Sequence, residues 1–282
     1  MSESILNALM HLFAIVAMVN RKGVSQKGKA IVKVFLKRYL NESLTLEYLK
    51  LFDNYQDFYK REGTQEKQKD QQNNQSLISF QTTNVCRQLS VKLHRNERII
   101  VLLQLMEFVN EDNIITQQEK DFINIVARTF NISSSEFADI QAFIFREEIE
   151  KISRGNMLTI DNRITEWSDN IAWFMKKKEQ SHQEEKHLFR ENLYGKIVVL
   201  FIRSINSYVL KYYGGLNLFM EGHQIIPELL YFFRPGSIIK GPNIKSIYYH
   251  DIAVRFLSEK PGIIFTGEKI EFKFKRSENG IQ

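Results

Sequence analysis

All four prolines of the chain, Pro227, Pro235, Pro242 and Pro261, lie in its last third, and nine of its thirteen glycines fall from Gly195 onward. Helix interiors exclude proline and disfavour glycine, whereas turns between strands need both. The chain is therefore expected to be helical to about residue 190 and β-rich beyond it. Periodicity agrees. Ile99, Leu102, Leu103, Met106 and Val109 recur at helical spacing, while Ile197-Val198-Val199-Leu200-Phe201-Ile202 and Tyr208-Val209-Leu210-Lys211-Tyr212-Tyr213 are short β-branched and aromatic runs closed by turn residues. The fold class that follows is α+β and multidomain: an all-α bundle, then a small all-β sandwich.

Two features organise the helical part. Arg61 to Ser76 contains no apolar side chain and is rich in Gln, Asn and Lys, so it reads as a polar loop. The segments on either side of it are related. Leu12 to Asn20, a turn at Arg21-Lys22-Gly23, then Val24-Ser25-Gln26 and a helix through Tyr39 parallel Leu102 to Asn110, a turn at Glu111-Asp112-Asn113, Ile115-Thr116-Gln117 and a helix through Phe130. Each then continues into another helix, from Leu44 and from Ser134, which makes a duplicated helical hairpin. Ser25 and Thr116 stand where a hydroxyl can cap a helix, and Glu119, three after Thr116, completes a capping box; Gly28 holds that place in the first copy.

Composition narrows the functional classes. The single Cys86 excludes an internal disulfide and a cysteine-based zinc site, which suits a reducing cytoplasm. The apolar stretch Ile5 to Val19 is too short to span hydrocarbon, contains Asn7 and His11, and follows Glu3 where a signal peptide carries positive charge; it reads as a buried core helix. The net charge is +6, yet residues 1–190 carry 27 basic and 25 acidic groups and residues 191–282 carry 12 and 8, so neither part is a basic blade. A nucleic-acid partner is not expected.

No catalytic constellation emerges. His182-Gln183-Glu184-Glu185-Lys186-His187 places its histidines five apart, off the common helical face that a zinc-protease motif requires, and reads as part of an exposed charged linker helix. Gly236 to Gly241 is followed by Pro242-Asn243 where a phosphate loop needs Lys and Ser or Thr, so it is a turn between strands. Cys86 has no neighbours that mark a nucleophile. Tyr212, Tyr213, Tyr248 and Tyr249 read as core and cross-strand aromatics. Glu111, Asp112, Asn113 and Glu119 gather oxygen ligands at one turn, which fits either a hard-cation site or a solvated turn with a helix cap.

Phe108-Val109-Asn110-Glu111-Asp112-Asn113-Ile114-Ile115-Thr116-Gln117-Gln118-Glu119, followed by an apolar helix, resembles the acidic turn of the tellurite-resistance TerB-like helical domain over roughly residues 4 to 148. That resemblance implies divalent-metal binding at Asp112 and Glu119 with Glu111 nearby, although Arg21-Lys22-Gly23 and Gly28 stand where the first copy would carry acids. Asn217 to Pro227, Pro235 to Pro242 and Ile247-Tyr248-Tyr249 resemble the small β domain that joins a TerB-like module to an ATP-binding cassette in large bacterial transporter-type proteins, similar in outline to a forkhead-associated sandwich. The Gly-Arg and Ser-x-x-His phosphothreonine signals are missing. Ile270 to Ile281 resembles the opening strand of a cassette ATPase, which implies that Phe274 stacks on adenine when a full ATPase domain follows.

The expected organisation is a TerB-like helical domain over 1–150 with a polar loop at 61–76, a charged linker helix over 151–194, a β-sandwich over 195–266, and the first strand of an ATPase domain over 267–282. With no Walker A, signature or Walker B motif, the expected role is non-enzymatic regulation or scaffolding. It would act in the cytoplasm or at the cytoplasmic face of the inner membrane, through a protein partner or the protein's own ATPase and membrane domains. ATP enters only with a full-length ATPase, and a divalent cation is the candidate cofactor. The alternative is a free-standing divalent-metal-binding stress protein.

Overall fold

The computed structural model describes residues 3–19, 26–37, 40–65, 71–110, 115–145, 152–163 and 186–257. Seven helices precede the first strand among these: α1 (Glu3–Val19), α2 (Gln26–Lys37), α3 (Glu42–Gln65), α4 (Gln71–Lys92), α5 (Arg95–Val109), α6 (Gln117–Thr129) and α7 (Ser134–Phe145). Helices α1 and α5 are apolar around most of their circumference. Such a helix is stable only when other helices surround it, and Leu6, the run Ala8 to Met10, the run Leu12 to Val16 and the run Val101 to Met106 are accordingly buried. The more amphipathic α2 and α6 cover this pair with Val32, Phe35 and Leu36, and with Phe122, Ile123 and Val126. The order α1-α2-α3 is repeated by α5-α6-α7, as the duplicated pattern required.

The polar stretch 61–76 is corrected. Its residues 61–65 end α3 and 71–76 begin α4, while 66–70 lie outside the described residues. Gln, Lys, Glu and Arg are good helix formers even without an apolar face, so lack of core residues did not mean lack of helix.

Nine strands follow among the described residues: β1 (Met157–Asp161), β2 (Lys186–Phe189), β3 (Lys196–Ile202), β4 (Ser207–Tyr213), β5 (Phe219–Met220), β6 (His223–Gln224), β7 (Tyr231–Phe233), β8 (Ile238–Lys240) and β9 (Ile247–Tyr248). A helix, α8 (Tyr249–Leu257), succeeds them. One sheet has the order β2-β1-β3-β4-β7 and the other β6-β5-β8-β9. All pairs are antiparallel except β1 with β2.

The five-stranded sheet is the middle of three layers. Val198, Leu200, Ile202 and Val209 join the core of the helical bundle. The alternate residues Leu158, Ile160, Ile197, Val199, Leu210 and Tyr212 pack with Leu218, Met220, Ile239 and Ile247 of the second sheet and with Ile252 and Phe256 of α8. Burial on both faces explains why β3 is an unbroken apolar run rather than an alternating one.

The boundaries move with this arrangement. The stretch 151–194, expected as a linker helix, contains β1 and β2, so the β domain starts at Met157; residues 164–185 lie outside the described residues. A buried five-residue strand such as Met157-Leu158-Thr159-Ile160-Asp161 is too short to announce itself by period. His187 sits on β2, paired with Thr159, rather than on an exposed helix.

Candidate functional site at the junction of the two domains

Strand β4 turns Val209, Lys211 and Tyr213 toward the helices, and this puts a lysine inside an apolar interface. Lys211 is 2% exposed. Its Nζ lies 2.8 Å from Oε1 of Glu107, in the last turn of α5. The second oxygen, Oε2, accepts a hydrogen bond from the backbone N–H of Leu230 at 3.1 Å, so one carboxylate grips two segments of the β domain. A buried charge is tolerable only with such complete pairing.

Helix α7 makes a second set of contacts. The Glu136 carboxylate accepts from the Ser204 hydroxyl at 2.7 Å and from its backbone N–H at 3.1 Å. Asp139, 7% exposed, accepts from the Ser153 N–H at 3.0 Å and from Asn156 Nδ2 at 2.7 Å, and Asn156 Oδ1 accepts a hydrogen bond from the Arg203 guanidinium. The two helices are tied to each other where Asn110 Nδ2 donates to the Ile144 carbonyl at 3.2 Å. The end of α5, the length of α7 and the β3–β4 turn therefore form one polar seam around an apolar centre.

Of the sequence-derived site residues, Glu119 is the one described. It is 4% exposed, its backbone N–H donates to Thr116 Oγ1 at 3.2 Å, and its Oε2 accepts from the Thr116 N–H at 2.9 Å and hydroxyl at 2.8 Å. This is the expected capping box. Glu111, Asp112, Asn113 and Phe274 lie outside the described residues, as does Ser25. Among the described residues no group of three or more His, Cys, Asp and Glu side chains is placed to hold a metal ion.

Other titratable groups are held by local structure. At the end of β1, Asp161 receives His187 Nε2 at 2.8 Å, Arg163 Nε at 2.6 Å and the Arg163 N–H at 2.9 Å. Burial pushes its carboxyl up, but the hydrogen bonds from His187 and Arg163 and the guanidinium charge outweigh this and hold it below the ordinary carboxylate range. His11 stacks on Tyr55, with ring centroids 4.2 Å apart, and its Nε2 shares a 2.6 Å hydrogen bond with the Tyr59 hydroxyl; burial lowers its pKa to about 4. Cys86 is fully buried and its thiol is pushed up to about 12, the opposite of an activated nucleophile.

The tyrosines divide. Tyr212 is core, its hydroxyl donating to the Tyr194 carbonyl at 3.2 Å and accepting from the Leu216 N–H at 2.7 Å, whereas Tyr249 opens α8 and Tyr248 is 41% exposed. Gly236 falls, as expected, in the turn between β7 and β8.

Sequence reasoning missed Glu107, Lys211, Glu136 and Asp139. The available signal was Lys211, a charge in the middle of an apolar strand run. Its partner could not be found without knowing which helix covers that face.

Geometry thus defines an all-helical domain fused through a paired, buried polar seam to a β unit of two packed sheets. Residues 7–142 match the family described as tellurite resistance protein TerB, which confirms the resemblance of the helical part and leaves the β domain outside the match. Neither the curated proteins nor the solved structures give a match to the chain. No helix among the described residues is long and apolar enough to cross a membrane.

Proposed function

We propose that this chain works by binding rather than by catalysis, as a regulatory or scaffolding unit in which a TerB-type helical domain and a β domain move as one body. The observation that supports this is the Glu107 carboxylate, engaged at both oxygens by the β domain inside a shared apolar core. A partner held by the helices is thereby held in fixed orientation to whatever the β domain adjoins, a cassette ATPase in the transporter-type context. The test is interdomain cooperativity. Urea unfolding followed by hydrogen exchange in α5 and in β4 should give one shared midpoint; two separated midpoints would sink the single-body reading.

A second reading, a divalent-cation site at the turn after α5, is favoured by the capping box, which fixes Glu119 at the mouth of that turn. Since Glu119 Oε2 is engaged by Thr116, Glu111 and Asp112 would supply most of the cation's oxygen ligands. Calorimetry with calcium, magnesium and zinc on the chain and on Asp112→Ala should show heat that the substitution removes. Heat that survives the substitution, or no heat, overturns it.

A further inference from the structure

Helix α3 carries more apolar surface than its own domain uses. Thr45, Leu49, Phe52, Gln56 and Tyr59, spaced alternately four and three apart, form its buried face. Leu44, Tyr48, Leu51, Tyr55 and Phe58 repeat that spacing one position earlier, and so lie about 100° round the helix. Leu44 is 39% exposed and Phe58 53%, and the three residues between them are only partly buried at the edge of the core. Helix α1 borders this second stripe on one side, where His11 stacks on Tyr55. Exposed Glu47, Asn54 and Arg61 line its other side, and α2 meets α3 elsewhere, through Lys29 and Asp53. A helix anchored by one face needs only one apolar arc. A second arc that alternates four and three has the 3.5-residue period by which one helix packs along another.

We infer that the other helix is α3 of a second copy of this chain, running antiparallel across a two-fold axis near Asn54. Charge selects both the occupant and the direction. In an antiparallel seam Leu51 meets Tyr55 of the second copy and Tyr48 meets its Phe58, and each layer occurs twice because a two-fold interface is complementary to itself. That register also sets Glu47 opposite Arg61 of the second copy at both ends, with Asn54 opposite its own counterpart between them. Farther out, the same operation brings Lys50 opposite Asp57. A row that is acidic at one end, neutral at the centre and basic at the other matches itself only when reversed. A parallel pairing would instead set Glu47 against Glu47 and Arg61 against Arg61. The stripe runs along about 21 Å of helix, which belongs to the small class of interface, so the dimer should form at roughly micromolar concentrations and exchange readily.

Sedimentation of the full chain from about 1 to about 200 µM tests this, and should show a monomer passing to a dimer. Phe58→Glu places a charge in the seam at a side chain that the monomer leaves exposed, so it should abolish the dimer while far-ultraviolet circular dichroism stays unchanged. Glu47→Arg and Arg61→Glu each leave like charges at both ends of the seam, and each should weaken the dimer at least about tenfold. The double exchange should restore it, and an equimolar mixture of the two single variants should form a heterodimer in which both contacts are attractive. Should Phe58→Glu unfold α3, these variants at exposed positions decide the outcome. A chain that stays monomeric throughout overturns the proposal. So does a dimer that survives Phe58→Glu and both reversals, which would assign it to another surface. A dimer that the single reversals leave untouched, or that the double exchange fails to restore, overturns the antiparallel pairing.

Discussion

Glu107 and Lys211, 104 positions apart in sequence, bring their charged atoms to 2.8 Å inside the interface of two domains, with side chains 14% and 3% exposed. Removing one partner leaves the other charge buried without compensation. Glu107→Ala is expected to destabilise the chain by about 3–5 kcal/mol, because it also strips the Leu230 N–H of its acceptor. The double replacement Glu107→Leu with Lys211→Met should cost clearly less than the two single substitutions summed, since it removes both charges together. Urea unfolding of the four proteins measures this directly.

His11 makes stability depend on pH in a definite window. Its folded pKa, about 4, lies below the ordinary value of 6.5, so the unfolded chain binds its proton first. Stability contributed by the neutral ring is present above about pH 6.5 and is lost as pH falls toward 4, by on the order of 3 kcal/mol in full. His11→Gln should flatten the unfolding free energy between pH 7 and pH 4.5. Asp161 acts in a lower window: its depressed carboxyl contributes above the ordinary aspartate range, and that contribution disappears on acidification through its folded value.

The Thr116 cap separates a structural from a ligand-binding role for the turn after α5. Thr116→Ala removes the hydroxyl that bonds the Glu119 N–H and should cost about 1 kcal/mol by thermal unfolding. If the turn holds a cation through Glu111 and Asp112, the heat of cation binding should persist in this variant, reduced but not abolished.

Two glycines test backbone geometry against space. Gly195 has φ of 101°, and a side chain there would run into the Tyr213 carbonyl oxygen, whereas Gly236 has φ of 88° and open space around it. Gly195→Ala should lower the melting temperature more than Gly236→Ala, which bears only the left-handed backbone cost of about 1–2 kcal/mol.

What the sequence disclosed followed from physics that acts locally. The apolar helix at Ile5 to Val19, the Thr116 and Glu119 cap and the β3 and β4 runs are written in neighbouring residues, and all of them stand. Elements whose signature depends on distant surroundings were misread. Strand β1 is only five residues long and shows no in–out burial alternation, and residues 61–65 and 71–76 are helical without any core-facing stripe in their sequence. The same division runs through the site. Glu119 could be placed by its spacing from Thr116, but Glu107 and Glu136 acquire their role only from Lys211 on β4 and Ser204 in the β3–β4 turn, which no local pattern links to those helices.

The parallel pairing of β1 with β2 sets an order of assembly. Strands β3 and β4 meet through the tight turn at Arg203–Asn206, where Asn206 adopts the left-handed conformation, so their ladder closes after a loop of a few residues. Strand β2 can reach β1 only after the chain has travelled back the full length of that strand, through a connection of more than twenty residues, and Thr159 faces His187 across it. Loop closure of that length is slow relative to a hairpin. The edge carrying His187 and Arg190 should therefore be the last part of the sheet to zip during refolding and the first to open under stress.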